Sequence, residues 1–300
     1  VFTTPDQKLK VAIFGSGNIG TDLLVKTLRS SHLECSLFVG RNLSSPGMTK
    51  ARSLGVPVSD QSIAAVLREA GAFDLIFDAT SASAHLENWP VFERLGKPVI
   101  DLTPSRIGVM CVPAVNLGDA MNCPNINMVT CGGQASIPLA RVIGQVHPDV
   151  SYIEVVSSIA SRSAGLATRA NIDEYVETTE LAVKEFSGAR RAKAILILNP
   201  AQPCIDMQTT VFAQVDRPRM PELTAAVERM AREIQAYVPG YQLVVPPVYE
   251  GGRIAMTVRV RGLGDFLPQY AGNLDIINCA ALAVAEQHAR QRVHSLVEAS

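Results

Sequence analysis

Residues 10–28 read KVAIFGSGNIGTDLLVKTL, an apolar run followed by glycines at 15, 17 and 20 and then by an amphipathic stretch. The run predicts a buried strand, the glycines a turn, and the stretch after them a helix packed back on the strand. Gly15 permits the tight turn, Gly17 lets a pyrophosphate approach the backbone, and Gly20 lets helix and strand touch. The helix then points its unpaired N–H groups at the phosphates. A dinucleotide is the ligand this arrangement serves.

The units that follow repeat the alternation. Residues 35–40 (CSLFVG), 73–82 (FDLIFDATSA) and 97–103 (KPVIDLT) read as strands, and 62–71 (SIAAVLREAG) and 85–96 (HLENWPVFERLG) as helices. Such alternation with short links predicts an α/β fold, a Rossmann-type doubly wound parallel sheet. Ligands of these sheets bind beyond the carboxyl ends of the strands. Thr80, Ser81 and Ala82 are therefore expected to line a cofactor cleft, although Ser81 taken alone fits a helix cap equally well. After the second strand the chain offers Arg41, Asn42, Ser44 and Ser45 and no acid. The choice between NAD and NADP thus leans toward acceptance of the NADP 2′-phosphate by Arg41. The alternative is that Arg41 stacks on the adenine or faces solvent.

From residue 151 the pattern changes to longer β-rich segments, SYIEVVSSIAS, KAILILN, IDMQTTVFAQV, YQLVVPPVYE and RIAMTVRVRG, interrupted by the helical IDEYVETTELAVKEF and PELTAAVERMAREIQAYV. This predicts an α+β substrate and dimerisation domain. The stretch from 272, GNLDIINCAALAVAEQHARQRV, reads as a long helix returning to pack on the first domain. The expected division is a dinucleotide-binding domain at 1–130, a catalytic and dimerisation domain at 131–270, and the C-terminal helix at 271–300. Residues 215–221 are expected to be a loop.

Composition narrows the functional classes. A net charge of −1 gives no electrostatic reason to expect nucleic acid or an anionic membrane. No apolar run approaches the roughly 20 residues of a membrane span, and the opening VFTTPDQK lacks the apolar core of a signal peptide. The six cysteines, at 35, 111, 123, 131, 204 and 279, form no C-x-x-C pair. Reduced thiols in a cytoplasmic protein are expected, with no disulfide frame and no metal site.

One of the six stands apart. Cys131 follows the apolar INMVT and precedes the helical ASIPLARVIGQV, with two glycines directly after it and Pro138 beyond. A thiol at a helix N-terminus meets the positive end of the dipole and free N–H groups, which are expected to lower its pKa. The same N–H groups suit the oxyanion of a hemithioacetal. Behind a nicotinamide fold, this implies thiol addition to an aldehyde, then hydride transfer to give a thioester. Cys111 and Cys123 have no such setting and read as core. His85 is a candidate for orienting a nicotinamide or substrate, or equally a residue early in a helix. Arg106, Arg162 and Arg169 are candidates for anionic parts of ligands, or plain surface ion-pair partners.

The sequence resembles the acylating acetaldehyde dehydrogenases, the CoA-dependent enzymes that end bacterial meta-cleavage pathways for aromatic compounds beside a 4-hydroxy-2-oxovalerate aldolase. The resemblance rests on KVAIFGSGNIGTDL, FDATSASAH, IDLTPSRIG, CVPAVNL, NINMVTCGGQASIP, SIASRSAGLATRANIDE, ILNPAQP, IQAYVPGY and LPQYAGNLDII, which span nearly the whole chain. It implies that Cys131 carries the acyl group of a short aldehyde, acetaldehyde or propionaldehyde, to CoA. It further implies cofactor contacts from Ser16, Gly17, Asn18 and Ile19, from Ser163, Ala164, Gly165, Leu166, Ala167, Thr168, Arg169, Ala170 and Asn171, and from Asn273. A homodimer and an aldolase partner belong to the same expectation. The fold of semialdehyde and glyceraldehyde-phosphate dehydrogenases is a more distant likeness.

Three departures from the family's pattern qualify it. Thr209 stands where members usually carry an aspartate thought to assist the thiol, and Asp206 is not an easy substitute in a regular strand. The segment between Tyr249 and Arg253 is short, where the family has a longer loop. Arg41-Asn42 replaces the usual acidic signature. These changes fit a diverged member, including one working reductively from NADPH. A phosphorylating semialdehyde dehydrogenase is a second reading, but it expects a histidine base, and neither His147 nor His288 and His294 is placed for one. A weakly catalytic or non-catalytic aldolase-binding subunit is the third.

Overall fold

The computed structural model describes residues 8–298, and the side chains of 166, 167 and 294–298 lie outside that description. The polar lead-in over residues 1–7 and the side chains of Leu166, Ala167 and His294 are therefore expectations outside the described residues.

The first unit runs β1 (Leu9–Phe14), α1 (Asn18–Arg29), β2 (Leu33–Val39), α2 (Pro46–Ser53), β3 (Val58–Ser59), α3 (Ser62–Arg68), β4 (Leu75–Asp78), α4 (Ala82–Leu95), β5 (Val99–Asp101), β6 (Val109–Met110), α5 (Pro113–Ala120) and β7 (Asn125–Asn127). Its strands form a seven-stranded parallel sheet in the order β3-β2-β1-β4-β5-β7-β6. The central strands β1, β2, β4 and β5 are mostly apolar and buried because helices cover both faces, as a parallel sheet requires. The strand order reverses direction at β1 and β4, and a crevice opens beyond their carboxyl ends.

The second unit runs α6 (Cys131–Val146), β8 (Tyr152–Ala160), α7 (Leu166–Ala170), α8 (Ile172–Ser187), β9 (Arg191–Asn199), β10 (Met207–Gln214), α9 (Met220–Gln235), β11 (Tyr241–Glu250) and β12 (Arg253–Val260). Its five-stranded sheet has the order β11-β12-β10-β8-β9, with only the β8–β9 pair parallel. Alternate residues of β10, Met207, Thr209, Val211 and Ala213, turn inward. They meet a core shared with α6, α8 and α9. The opposite face leaves Ile195, Ile197, Val244 and Val248 exposed. Between β11 and β12, Gly251 and Gly252 take φ of 58° and 78°, a two-residue turn that matches the twist of its strands.

The last helix, α10 (Gly272–Glu298), belongs to both cores: Ile276 and Cys279 pack in the second, Ile277, Ala281 and Val284 in the first. Lys26 of α1 is its polar anchor. The ammonium, only 3% exposed, lies 2.9 Å from Asp22, 2.9 Å from Asp265 and 2.7 Å from Asp275. Burial alone would lower its pKa, but the surrounding carboxylates outweigh burial and raise it.

The observed elements depart from expectation at ligand-facing ends. The strand expected over 73–82 stops at Asp78, and the helix expected from 85 begins at Ala82. The cause is local chemistry: Ser81 caps α4 by accepting from the Ala84 N–H at 3.3 Å. Helix α2 was not expected, although Ser45 caps it and Pro46 occupies its first turn. The loop expected over 215–221 yields to α9 at Met220. The short β3, β6, α5 and α7 carry too little periodicity to be read.

Candidate active site

Two helix N-termini meet in one cleft. The first is α1. Gly15, at φ +122°, turns the chain so tightly that a Cβ there would stand 2.5 Å from the Ala79 carbonyl oxygen. A Cβ on Gly20 would stand 1.8 Å from the Gly15 oxygen. Gly17, by contrast, would meet nothing within 4 Å. No side chain caps α1 and no acid sits in its first turn, so its leading N–H groups stay available to an anion.

A cleft of about 2060 Å³ extends from this turn. It is lined by Gly15, Ser16, Gly17, Asn18 and Ile19, by Arg41, by Thr80 and Ser81, and by Ser163, Gly165, Thr168, Ala170 and Asn171. Arg41 is exposed at its edge. Its inner end narrows to a smaller cavity lined by Leu102, Thr103, Pro104, Thr130, Cys131, Tyr175, Asn273, Leu274 and Ile277, with Ile19, Thr80, Ser81, Thr168, Asn171 and Leu274 common to both spaces. Asn273 is fully buried there, and neither its amide nitrogen nor its oxygen has a hydrogen-bond partner among the described residues. A buried amide left unpaired costs about 1–3 kcal/mol, so it marks a place for a ligand with a matching amide. The residues present fit a nicotinamide dinucleotide: the uncapped N–H groups of α1 suit phosphates, and the unpartnered Asn273 amide suits a carboxamide.

Three of the expected contacts are placed elsewhere. Gly20 faces the Gly15 backbone and serves the turn. Ala164 joins the core of the second unit. The Arg169 guanidinium bonds back to the Ser161 and Ala164 carbonyls, each at 3.0 Å, which leaves it a loop brace. Arg106 pairs with Glu177 at 2.8 Å, and Arg162 is exposed.

The second N-terminus belongs to α6, whose first residue is Cys131. Thr130 caps it, its hydroxyl accepting from the Gly133 N–H at 2.8 Å and lying 2.8 Å from the Thr179 hydroxyl. Val129, just before, holds φ of 60°. That is a strained conformation for a β-branched side chain, and the Asn127 side chain supports it by accepting from the Val129 N–H at 2.9 Å.

The thiol itself corrects one expectation. Burial pushes Cys131 up to about 11, and the N–H groups of Gly132 and Cys131 with the Tyr175 hydroxyl only partly offset it. The helix N-terminus is present, but removal of water from the sulfur outweighs it in the ligand-free protein. Cys111 is buried as expected, whereas Cys123 is only partly covered.

His85 does not enter the cleft. It is fully buried, with Nδ1 2.9 Å from Asp78 and Nε2 2.8 Å from the Asn125 amide. Burial opposes its charge, but Asp78 and Asp101 outweigh burial and raise its pKa. Asp101 is itself pushed up to about 6, chiefly by burial. These groups act on the cleft from behind. Asp78 accepts from the Thr80 N–H at 2.9 Å and hydroxyl at 2.6 Å, and Asp101 accepts from the Thr103 N–H at 2.8 Å. Both threonines line the inner cavity. Among the described residues no cluster of His, Cys, Asp or Glu is arranged to hold a metal, and no helix is long and apolar enough to cross a membrane.

Sequence reasoning missed Tyr175, Leu274 and Ile277, which join Cys131 only through the packing of α8 and α10. Nothing in their local sequence marks them.

Comparison with known proteins places this geometry. Residues 131–268 match the family described as prokaryotic acetaldehyde dehydrogenase, dimerisation. The acetaldehyde dehydrogenase of Pectobacterium atrosepticum is 59% identical over 95% of this chain and 97% of its own. That of Spirochaeta aurantia is 58% identical over 96% and 97%. In three dimensions the chain is similar to aspartate semialdehyde dehydrogenase with NADP from Candida albicans, with a TM-score of 0.65 and 10% identity over 93% of this chain and 99% of that one. Aspartate semialdehyde dehydrogenase II from Vibrio cholerae gives 0.62 and 14% over 96% and 99%. At such identities these two show the fold alone.

Proposed function

The chain belongs to the prokaryotic acetaldehyde dehydrogenase family, and from that premise we propose that it interconverts a short aldehyde and CoA with acyl-CoA, using NAD or NADP. The balance is aldehyde + CoA–SH + NAD(P)⁺ ⇌ acyl-S-CoA + NAD(P)H + H⁺. The observation that carries the reading is a cysteine at a helix N-terminus in the inner end of a dinucleotide-shaped cleft.

Gly15 to Ile19 would hold the pyrophosphate, Asn273 the carboxamide, and Arg41 a 2′-phosphate where one is present. A nicotinamide bound there supplies the acceptor for the hydride that leaves the substrate carbon. Cys131 adds through sulfur to the aldehyde carbon, forming the C–S bond. The N–H groups at the start of α6 face the oxygen that gains charge in that addition. Loss of hydride leaves an acyl thioester on Cys131, and the CoA thiol takes the acyl group and restores the cysteine. Leu102, Pro104, Leu274 and Ile277 give the acyl group an apolar seat and limit its length.

The exposed apolar strand face carrying Ile195, Ile197, Val244 and Val248, within the segment matched to a dimerisation family, supports a homodimer. An aldolase that supplies the aldehyde is the partner implied by the resemblance.

The test follows NAD(P)H absorbance with short aldehydes and either CoA or phosphate. CoA-dependent turnover supports the reading, whereas turnover with phosphate alone would replace it with a phosphorylating one. Nucleotide binding without turnover on any acceptor would favour an unusual acyl substrate first and a scaffolding subunit second.

A further inference from the structure

The thiol is surrounded by hydroxyls, not bases. Among the described residues no histidine and no carboxylate lines the cavity around Cys131. Tyr175, from the first turn of α8, brings its phenol to that place instead. A Cβ on Gly132 would stand 1.9 Å from the Tyr175 Oη and 2.9 Å from the Ser157 Oγ. Residue 132 must therefore be glycine for the phenol to reach the start of α6. Ser157 Oγ lies 3.0 Å from Thr209 Oγ1, across β8 and β10, where the two residues are paired directly. Ser157 is 0% and Thr209 1% exposed, so this pair is closed to water.

The phenol oxygen is enclosed and makes no well-aligned hydrogen bond in this state. Its possible partners nevertheless fix a direction. The Ser157 hydroxyl and the Cys131 thiol both lie against the phenol oxygen, the first as a donor to it and the second as an acceptor from it. An oxygen that accepts from Ser157 keeps its own proton free to give, and the Cys131 sulfur is the acceptor beside it. Burial and the neighbouring thiol both raise the Tyr175 pKa, so the phenol keeps that proton. Thr209, being neutral, can donate to Ser157 and leave Ser157 free to donate onward. A carboxylate at the same position could only accept, and would turn the line of donors round.

We propose that Tyr175 is a catalytic residue whose hydroxyl donates to the Cys131 sulfur as the thiolate forms, with Ser157 and Thr209 as positioning residues that aim it. The inference rests on the reading of Cys131 as the nucleophile. It assigns the stabilisation of the buried thiolate to a chain of neutral hydroxyls and leaves the proton to depart through the open cleft.

The test is the pH profile of iodoacetamide alkylation, followed at the Cys131 peptide by mass spectrometry on the full chain without nucleotide. A neutral thiol is nearly unreactive, so the wild-type rate should climb from pH 7 and level off near 11. Tyr175→Phe should shift that profile upward by about one pH unit, an approximately tenfold slower reaction at neutral pH. Thr209→Val should slow it about threefold, and Thr209→Asp more than Thr209→Val, while Ser157→Ala should follow Thr209→Val. The three β-strand variants keep the proposal testable if the phenylalanine variant fails to fold. Superposing profiles for wild type and Tyr175→Phe, or faster alkylation in Thr209→Asp, would overturn the proposal. CoA-dependent turnover surviving in Cys131→Ala would instead remove the nucleophile assignment itself. The two failures are thus read in separate assays.

Discussion

Helices α1 and α6 begin at opposite ends of the same cleft, each just past the carboxyl end of a parallel strand, and they begin in different ways. Helix α1 starts at a glycine, takes no side-chain cap and carries no acid in its first turn. Helix α6 starts at a threonine that caps it, and places a thiol at its first position. The first leaves its N–H groups open for a ligand that brings its own charge. The second ties the Gly133 N–H to Thr130 and leaves those of residues 131 and 132 facing the Cys131 sulfur. On the proposed reading one helix end is a receptor and the other a reaction centre whose thiol burial keeps protonated.

Substitutions can break this contrast one end at a time. The largest effect is expected at the reaction centre. Cys131→Ala should lower CoA-dependent turnover at least about 10⁴-fold while nucleotide affinity, measured by fluorescence titration, stays within about threefold. A comparable loss of both would mean that the two ends are not separable.

At the receptor end, Gly17→Ala is the sharper probe than Gly15 or Gly20. Its added methyl meets no protein atom within 4 Å, so only a bound pyrophosphate should feel it. The expected result is at least about tenfold weaker nucleotide binding, an unchanged melting temperature and an unchanged rate of Cys131 alkylation. Unaltered affinity would move the phosphates away from α1.

Smaller effects test the cap and the edge. Thr130→Ala should cost about 1 kcal/mol of stability, visible as a lower denaturation midpoint, and should slow thiol alkylation because the first turn of α6 loosens. Arg41→Ala should weaken NADP several-fold and leave NAD nearly untouched, since only the former carries a phosphate for it to meet. Equal losses for both nucleotides would make Arg41 an adenine-stacking residue instead.

The two helix ends were also unequally legible in the sequence. The turn into α1 is local: three glycines at fixed spacing between an apolar strand and an amphipathic helix determine it, and Gly15 and Gly20 prove to be glycines because backbone atoms occupy the space a Cβ would need. The position of Cys131 at the start of a helix was likewise readable from the apolar INMVT before it and from the glycines, the helical pattern and Pro138 after it. Its protonation was not, because the burial that pushes its pKa up comes from Tyr175, Leu274 and Ile277 on helices far along the chain. His85 shows the same limit. Its sequence neighbours face the cleft, but one turn of helix carries it inward between Asp78 and Asp101, where it holds the residues that do line the site. Arg169 was drawn from family likeness, and only the loop geometry shows its guanidinium turned back on Ser161 and Ala164.

The measurement closest to the central claim is a trapping experiment. The protein is incubated with acetaldehyde and oxidised nucleotide, without CoA, quenched in acid and digested, and the peptides are weighed. The account predicts an acetyl group on Cys131 alone, lost when CoA is added before the quench. Nucleotide reduction in step with aldehyde consumption, with Cys131 unmodified at every time point, would contradict it.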